Sequence, residues 1–422
     1  MILDVMPLEV MREVLLDLPT VDIIQTVKCT RRLYRFAKAD KALGRRLQNR
    51  VFDLHLCLGD MFWANCECEE DPVPCLYLGV RFRQANDAVA QWNSSECKFV
   101  FWFGDQCKCN SSKALFWYRG ECDDLDGPTL EIEHGLLDQP SLLYESHLLR
   151  GFEDGTSFTI NNGSLDEAIV NCGKLFNILM KFCVVRKFKL DLDSGHGHKW
   201  DKMNAFFNAN PPNLRIQPHV FIYSKINLDS FLTSNISQNG LAEIMILFDY
   251  DFGPILTDAY HEVLRRTPNV FFIGLDLPYT YEDLLGFFKD TKQLSLRSKT
   301  HITKQQIYQL VQHFYEVKQD EERTFEFGGF AKQFRVKDFL RLVPKEAYRL
   351  HKKRRGNMDM TREWRMRMTW AEMTDRFGGR WALMDKRAHY NWELCENVLR
   401  ICSMKNFTEN KPIGVSDLAD FD

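Results

Sequence analysis

Cysteine is the residue type with most chemical potential in this chain, and it is unevenly placed. Of thirteen cysteines in 422 residues, eight (Cys57, Cys66, Cys68, Cys75, Cys97, Cys107, Cys109 and Cys122) fall within one stretch. Cys66 and Cys68 with Cys75, or Cys107 and Cys109 with Cys97 or Cys122, could offer thiolates to a tetrahedral zinc ion. The spacing argues against it. One residue between paired cysteines is not the usual two-residue knuckle, no histidine lies in either loop, and a free cysteine is often a small buried hydrophobe. No metal or cofactor is therefore expected, with Cys66, Cys68, Cys107 and Cys109 as the candidates should zinc be present. His196-Gly197-His198 with Asp191 and Asp193 has the types of a metal or acid–base set but no evident third ligand, so a solvated loop is expected. Phosphate-binding glycine loops and a nucleophile elbow are absent from the sequence. No cysteine stands out as a nucleophile. The chain is expected not to be an enzyme.

The strongest charge asymmetry lies in Lys345–Arg387. There Arg349, Lys352 to Arg355, Arg362, Arg365, Arg367, Arg376 and Arg380 are interleaved with Trp364, Trp370, Phe377 and Trp381. Arginine and tryptophan are favoured at protein interfaces, and the same mixture can bind nucleic acid by phosphate contact and base stacking. Trp364, Arg365, Trp370 and Trp381 are the candidate target contacts. A helical cap with a basic solvated face is the plainer reading of the segment. The whole chain, with a net charge of -3, is not that of a general nucleic-acid binder.

The elements that must position these residues divide by pattern. Residues 51–150 read as short antiparallel strands, at Phe52–Leu58, Leu76–Phe82, Lys98–Phe103, Ala114–Tyr118 and Thr129–Glu133, punctuated by glycine and proline. Residues 151–345 alternate strand and helix. The strands are expected at Lys187–Leu192, His219–Ile226, Glu243–Tyr250, Val270–Leu277, Gln293–Arg297 and Thr324–Phe327. Helices between them are expected at Leu165–Phe182, Lys199–Asn208, Leu228–Thr233, Thr257–Arg266, Thr280–Lys289 and Ile302–Val317. The irregular β-α period falls in the leucine-rich-repeat range without that consensus, so an irregular repeat-like array is favoured over one compact α/β domain. Residues 346–408 are expected to form the basic aromatic helical cap, and 409–422 a disordered tail. The expected class is α+β. No run of about 18 apolar residues suggests a membrane span, and no signal peptide is read at the start, so cytoplasm or nucleus is expected, with reduced thiols.

Residues 1–48 carry the most specific pattern. Pro7 opens a helix, Val10, Val14, Leu15 and Leu18 recur at helical spacing, and Pro19 ends it. A second helix carries Ile23, Ile24 and Val27, and a third Leu33, Tyr34 and Phe36. Three short helices bury little surface alone, so either a partner or the rest of the chain must cover their remaining apolar face. Met6-Pro7-Leu8-Glu9-Val10, Glu13-Val14-Leu15, Leu18-Pro19, Asp22-Ile23-Ile24, Val27-Lys28-Cys29 and Arg32-Leu33-Tyr34 closely resemble the F-box pattern. Met6 stands where leucine is usual, and Leu33 or Tyr34 where tryptophan is usual. Lys292–Ile307 with Leu310–Tyr315 is similar to the F-box-associated region of the nematode F-box families. The resemblance implies binding of a Skp-type adaptor, and through it the cullin and RING subunits of a ubiquitin ligase. Pro7, Leu8, Val14, Leu15, Leu18, Ile23, Ile24 and Val27 would be the adaptor contacts, and an unknown target would bind beyond residue 51. The alternative is a nucleic-acid-binding protein using the basic aromatic stretch.

Overall fold

The computed structural model describes residues 6–48, 51–58, 62–63, 75–82, 96–103, 114–118, 121–124, 129–144, 156–192, 197–212, 214–222, 226–247, 262–273, 281–297, 303–316, 323–328, 335–359, 362–390 and 393–403. The chain divides into two compact units, residues 1–220 with 234–239, and residues 221–233 with 240–422. It combines an N-terminal helical stretch with mixed helix and strand thereafter, an α+β protein.

The first unit begins with four helices, α1 (Leu8–Asp17), α2 (Thr20–Lys28), α3 (Arg31–Ala39) and α4 (Lys41–Gln48). Pro7 and Pro19 precede the first two, where a missing N–H costs the helix nothing. Thr30 caps α3 by accepting from Leu33 N at 3.2 Å. Asp40 enters α4 with Oδ1 accepting from Ala42 N and Leu43 N, both at 3.0 Å. Its other oxygen takes the Arg12 Nε–H at 2.8 Å. Burial pushes the Asp40 carboxyl up, but the Leu43 amide and the Arg12 guanidinium outweigh this and hold it below the usual carboxylate range. That contribution is complete at neutral pH and is lost as pH falls through the lowered value.

The strands follow: β1 (Val51–Cys57), β2 (Phe62–Trp63), β3 (Cys75–Phe82), β4 (Glu96–Phe103), β5 (Ala114–Tyr118), β6 (Glu121–Asp124) and β7 (Thr129–Glu131). Two short helices, α5 (His134–Leu137) and α6 (Pro140–Leu143), lead to β8 (Ser157–Asn162), the long α7 (Leu165–Phe182), β9 (Val184–Leu192) and α8 (Gly197–Ala209). The sheet runs β9-β1-β3-β4-β8-β7. β1–β3 and β3–β4 are antiparallel, as the sequence suggests, while β1–β9, β4–β8 and β7–β8 are parallel. β2, β5 and β6 form a separate small sheet. Ser164 accepts from Glu167 N at 3.2 Å, and Glu167 Oε2 returns to Gly163 N at 2.7 Å, which starts α7. The inner face of α7 brings Phe176 against Phe188 at 5.2 Å and Phe207 at 5.3 Å, centroid to centroid. Phe99 and Phe158 stack at 5.0 Å in the same core.

β10 (His219–Ile222) carries the boundary between the units. The second unit then alternates α9 (Leu228–Leu232), β11 (Glu243–Leu247), α10 (Glu262–Arg266), β12 (Asn269–Ile273), α11 (Tyr281–Asp290), β13 (Gln293–Arg297), α12 (Lys304–Glu316) and β14 (Thr324–Gly328). β11, β12, β13 and β14 pair in parallel and in sequence order. Each parallel pair needs a crossover, supplied by α10, α11 and α12. Ile244, Ile246, Val270, Phe272, Leu294, Leu296, Phe325 and Phe327 alternate along these strands and are buried. Thr303 caps α12 reciprocally with Gln306, Gln306 N donating to Thr303 Oγ1 at 3.2 Å and Thr303 N to Gln306 Oε1 at 2.7 Å.

After the single turn α13 (Val336–Phe339), the structure departs from the expected helical cap. Residues 348–403 form four strands, β15 (Tyr348–Asp359), β16 (Arg362–Thr374), β17 (Arg380–Tyr390) and β18 (Glu393–Ser403). They make an antiparallel meander, and β18 pairs antiparallel with β14. The reason lies in the period. Trp364, Met366, Met368 and Trp370 alternate with Arg365, Arg367 and Thr369, a two-residue repeat that fits a strand and not a helix. Residues 409–422 lie outside the described residues.

Candidate partner-binding site

The four N-terminal helices enclose a core of Met11, Leu15, Ile23, Val27, Leu33, Ala37 and Leu43. Met6, Leu16, Leu18, Phe36 and Leu47 pack against it from the edge. This sorts the eight expected adaptor contacts. Leu15 and Ile23 are fully buried and Val27 is 3% exposed, so these three support the bundle and present nothing to a partner. Leu18 and Ile24 are half-buried. Pro7, Leu8 and Val14 stand exposed, Leu8 at 45% and Val14 at 37%. A helical repeat of apolar residues cannot say which stripe faces inward, since core and partner faces use the same residue types.

Two exposed apolar residues went unassigned in the sequence. Val10 is 46% exposed and Tyr34 51%. Pro7, Val10 and Val14 follow at intervals of three and four, so they share one stripe of α1. That spacing was the available signal. Glu9 and Glu13 flank the stripe, both exposed.

Other residues of the same helices hold them to the body of the first unit. Arg46, only 2% exposed, spreads its guanidinium over four acceptors. Nε donates to Thr20 Oγ1 at 3.1 Å, Nη1 to Leu16 O at 2.8 Å, and Nη2 to Leu18 O at 2.6 Å and Lys181 O at 3.1 Å. These carbonyls lie at or just past the C-terminal ends of α1 and α7, the negative poles of both helices. Thr20 Oγ1 donates to Phe182 O at 2.7 Å, and Arg46 lies over the Phe182 ring at 4.6 Å. Burial lowers the Arg46 pKa to about 10, which leaves it charged at neutral pH. Lys181 pairs with Asp17 at 2.9 Å, and Arg215 forks onto Asp22. Arg46 was indistinguishable in sequence from the exposed Arg45 beside it.

The remaining sequence candidates resolve differently. Trp370 is 8% exposed and stacks on His351 at 5.1 Å, and Trp381 is 2% exposed with its ring against Phe314 at 5.3 Å. Neither offers a ring face for a base or a target side chain. Trp364 and Arg365 lie on β16, with side chains outside the described residues. Asp191 meets His55, with Nε2 to Oδ2 at 2.5 Å on adjacent strands, and the side chain of His198 lies outside the described residues. His196, Asp193 and the zinc candidates Cys66, Cys68, Cys107 and Cys109 lie outside the described residues. Among the described residues no cluster of metal-ligating side chains occurs. Burial pushes the Cys183 and Cys402 thiols up to about 12 and raises that of Cys172 further, so these three are protonated and unreactive near neutral pH. Among the described residues no helix is long and apolar enough to cross a membrane. Comparison of the chain with family profiles, curated proteins and solved structures finds no match.

Proposed function

We propose that this protein is a substrate receptor of a cullin-RING ubiquitin ligase, binding a Skp-type adaptor through residues 6–48 and a target protein through the rest of the chain. The observation that carries this reading is the exposed apolar stripe of Pro7, Val10 and Val14, with Leu8 also exposed in the first turn of α1. It lies on helices whose own core is already complete without it. These residues fall within the segment that resembles the F-box. An apolar face of this kind suits a helix-in-groove interface, in which a few anchors carry most of the energy. The receptor acts by proximity, raising the effective concentration of target lysines near the charged conjugating enzyme. The parallel strand-helix run from β11 to β14 fits an irregular repeat array, related to leucine-rich repeats or to the F-box-associated region, as the target-binding half.

Hydrogen exchange tests this directly. Adding the adaptor to the full chain should slow exchange of amides in α1 and at the exposed turn of α3 around Tyr34. Unchanged exchange there, with the adaptor at saturating concentration, refutes the assignment.

A further inference from the structure

The face of the N-terminal bundle formed by α3 and its flanks carries one sign of charge. Lys28, Arg31, Arg35, Lys38, Lys41 and Arg45 are all exposed. Between Lys28 and Arg45 the one carboxylate is Asp40, and it is already taken by Arg12 at 2.8 Å and by the start of α4. Arg31, Tyr34, Arg35 and Lys38 stand three and four residues apart, so they form a single stripe along α3. Tyr34 is 51% exposed in the middle of it. The other side of α3 places Leu33 and Ala37 in the bundle core.

Stability of the bundle does not call for this arrangement. Arg31 and Arg32 occupy the first turn of α3, at the positive pole of the helix, and no acidic residue of that turn offsets them. Arg31 with Arg35, and Lys41 with Arg45, set like charges four residues apart on one helix, a spacing that costs helix stability. Acidic residues at these positions would be the stabilising choice. A partner that supplies negative charge offsets both costs. The chain's net charge of -3 does not prevent this, because salt at about 0.1–0.15 M screens each charge over about 8–10 Å.

We propose that this stripe binds single-stranded nucleic acid, with Arg31, Arg35 and Lys38 on its phosphates and Tyr34 stacked on a base. Composition separates this partner from other anionic ones. The core of a protein interface is depleted in charge and rich in apolar anchors, and on this stripe Tyr34 alone answers to that. Nucleic-acid interfaces are far more positively charged. An anionic membrane takes up a helix by its apolar side, and that side of α3 is committed to the bundle core through Leu33 and Ala37. A duplex keeps its bases stacked on one another, whereas a single strand leaves a base face free for an exposed aromatic ring. The inference goes beyond the ligase reading and does not rest on it.

The experiment measures binding of a fluorescent oligouridine of about 12 nucleotides to the full chain by anisotropy, across a salt series. Four phosphate contacts, the stripe's three and one flanking lysine, predict a slope of log affinity on log salt of about -3, at roughly -0.7 per contact. Binding should be micromolar at about 50 mM salt. Arg31→Gln/Arg35→Gln/Lys38→Gln should melt as the wild type does and lose about two units of that slope. Tyr34→Ala should weaken binding at least about fivefold with the slope unchanged, and Tyr34→Phe should restore it. Oligothymidine run in parallel tells DNA from RNA, and the stated slope with either supports the proposal. No binding of either at about 50 mM salt overturns it. So does an unchanged slope in the triple variant, which would place the strand on other cations, or a Tyr34→Ala affinity equal to that of the wild type. Polyglutamate of the same length bound as tightly would make the partner an acidic protein segment, and overturns it too. The assay contains no adaptor, so adaptor binding is untouched by any of these results.

Discussion

Arg46 shows how one side chain can carry the junction between two parts of a unit. Its guanidinium is desolvated, yet three of the bonds it makes go to carbonyl oxygens near helix ends and the fourth to the Thr20 hydroxyl. Removing it leaves those carbonyls and Thr20 to water that reaches them poorly, at roughly 1–3 kcal/mol for an unsatisfied group. Arg46→Met should therefore lower the unfolding free energy of the first unit by about 3 kcal/mol. Lysine, a compact point charge without a fork, should recover less than half of the loss. Denaturant unfolding followed by circular dichroism measures both, and a loss below about 0.5 kcal/mol would mean that the latch is ornamental. The same scale shows where sequence reading stops. Leu8 and Leu15 are both apolar residues of α1, seven residues apart, yet one is 45% exposed and the other buried. Only packing partners distant in sequence separate them.

At the scale of elements, one row of side chains crosses the second unit in continuous register. Met245, Phe271, Ser295, Glu326, Arg400, Met384, Trp370 and His351 are successive partners across eight strands. Its centre is charged. Arg400 Nη2 meets Glu326 Oε2 at 2.6 Å, and Glu326 and Arg400 are 0% and 5% exposed. The pair sits where the parallel run of β14 meets the antiparallel β18. A one-residue slip would turn Glu326 to the face occupied by Phe325 and Phe327, so the pair penalises wrong registers. Replacing one partner, as in Arg400→Met, should cost about 3–5 kcal/mol because a buried carboxylate loses its guanidinium, whereas Glu326→Leu/Arg400→Met together should recover most of it. Urea midpoints of the two singles and the double decide this. Equal, additive losses would show that the charges do not act as a pair. In the first unit, Gly173 on α7 lies so close to the Phe206 ring that a Cβ would stand 2.0 Å from it. Gly173→Ala gains about 1 kcal/mol of helix propensity and loses about 1–3 by overpacking, so net destabilisation is expected in thermal melts. A rise in melting temperature would contradict that packing.

Over the whole molecule, what the sequence disclosed tracks how local the deciding interactions are. The helices of residues 8–48, the long α7 and the β11 to β14 alternation were legible because proline stops, capping residues and period speak within a few residues. The antiparallel order of β1, β3 and β4 was legible for the same reason. The meander of β15 to β18 is poorly announced because its arginines and methionines are good helix formers, and only the two-residue alternation of Trp364 to Trp370 marks the strand. The Arg46 latch joins residues more than a hundred positions apart, and nothing local announces it. Of the site, the segment was legible and the division between core and exposed contacts was not. Through Arg46, Thr20 and Asp22 the N-terminal helices are fastened to the rest of the first unit.

The central claim is that the exposed stripe of α1 binds a Skp-type adaptor. The most direct measurement titrates purified adaptor into the wild-type chain and into Leu8→Asp/Val14→Asp, with circular dichroism melts of both chains as the folding control. Both residues are exposed, so the double variant should melt as the wild type does. Two interface anchors at about 2 kcal/mol each predict a one-to-one complex for the wild type and affinity weaker by about a thousandfold for the variant. A folded wild-type chain that ignores the adaptor, or a variant that binds it equally well, would contradict the account.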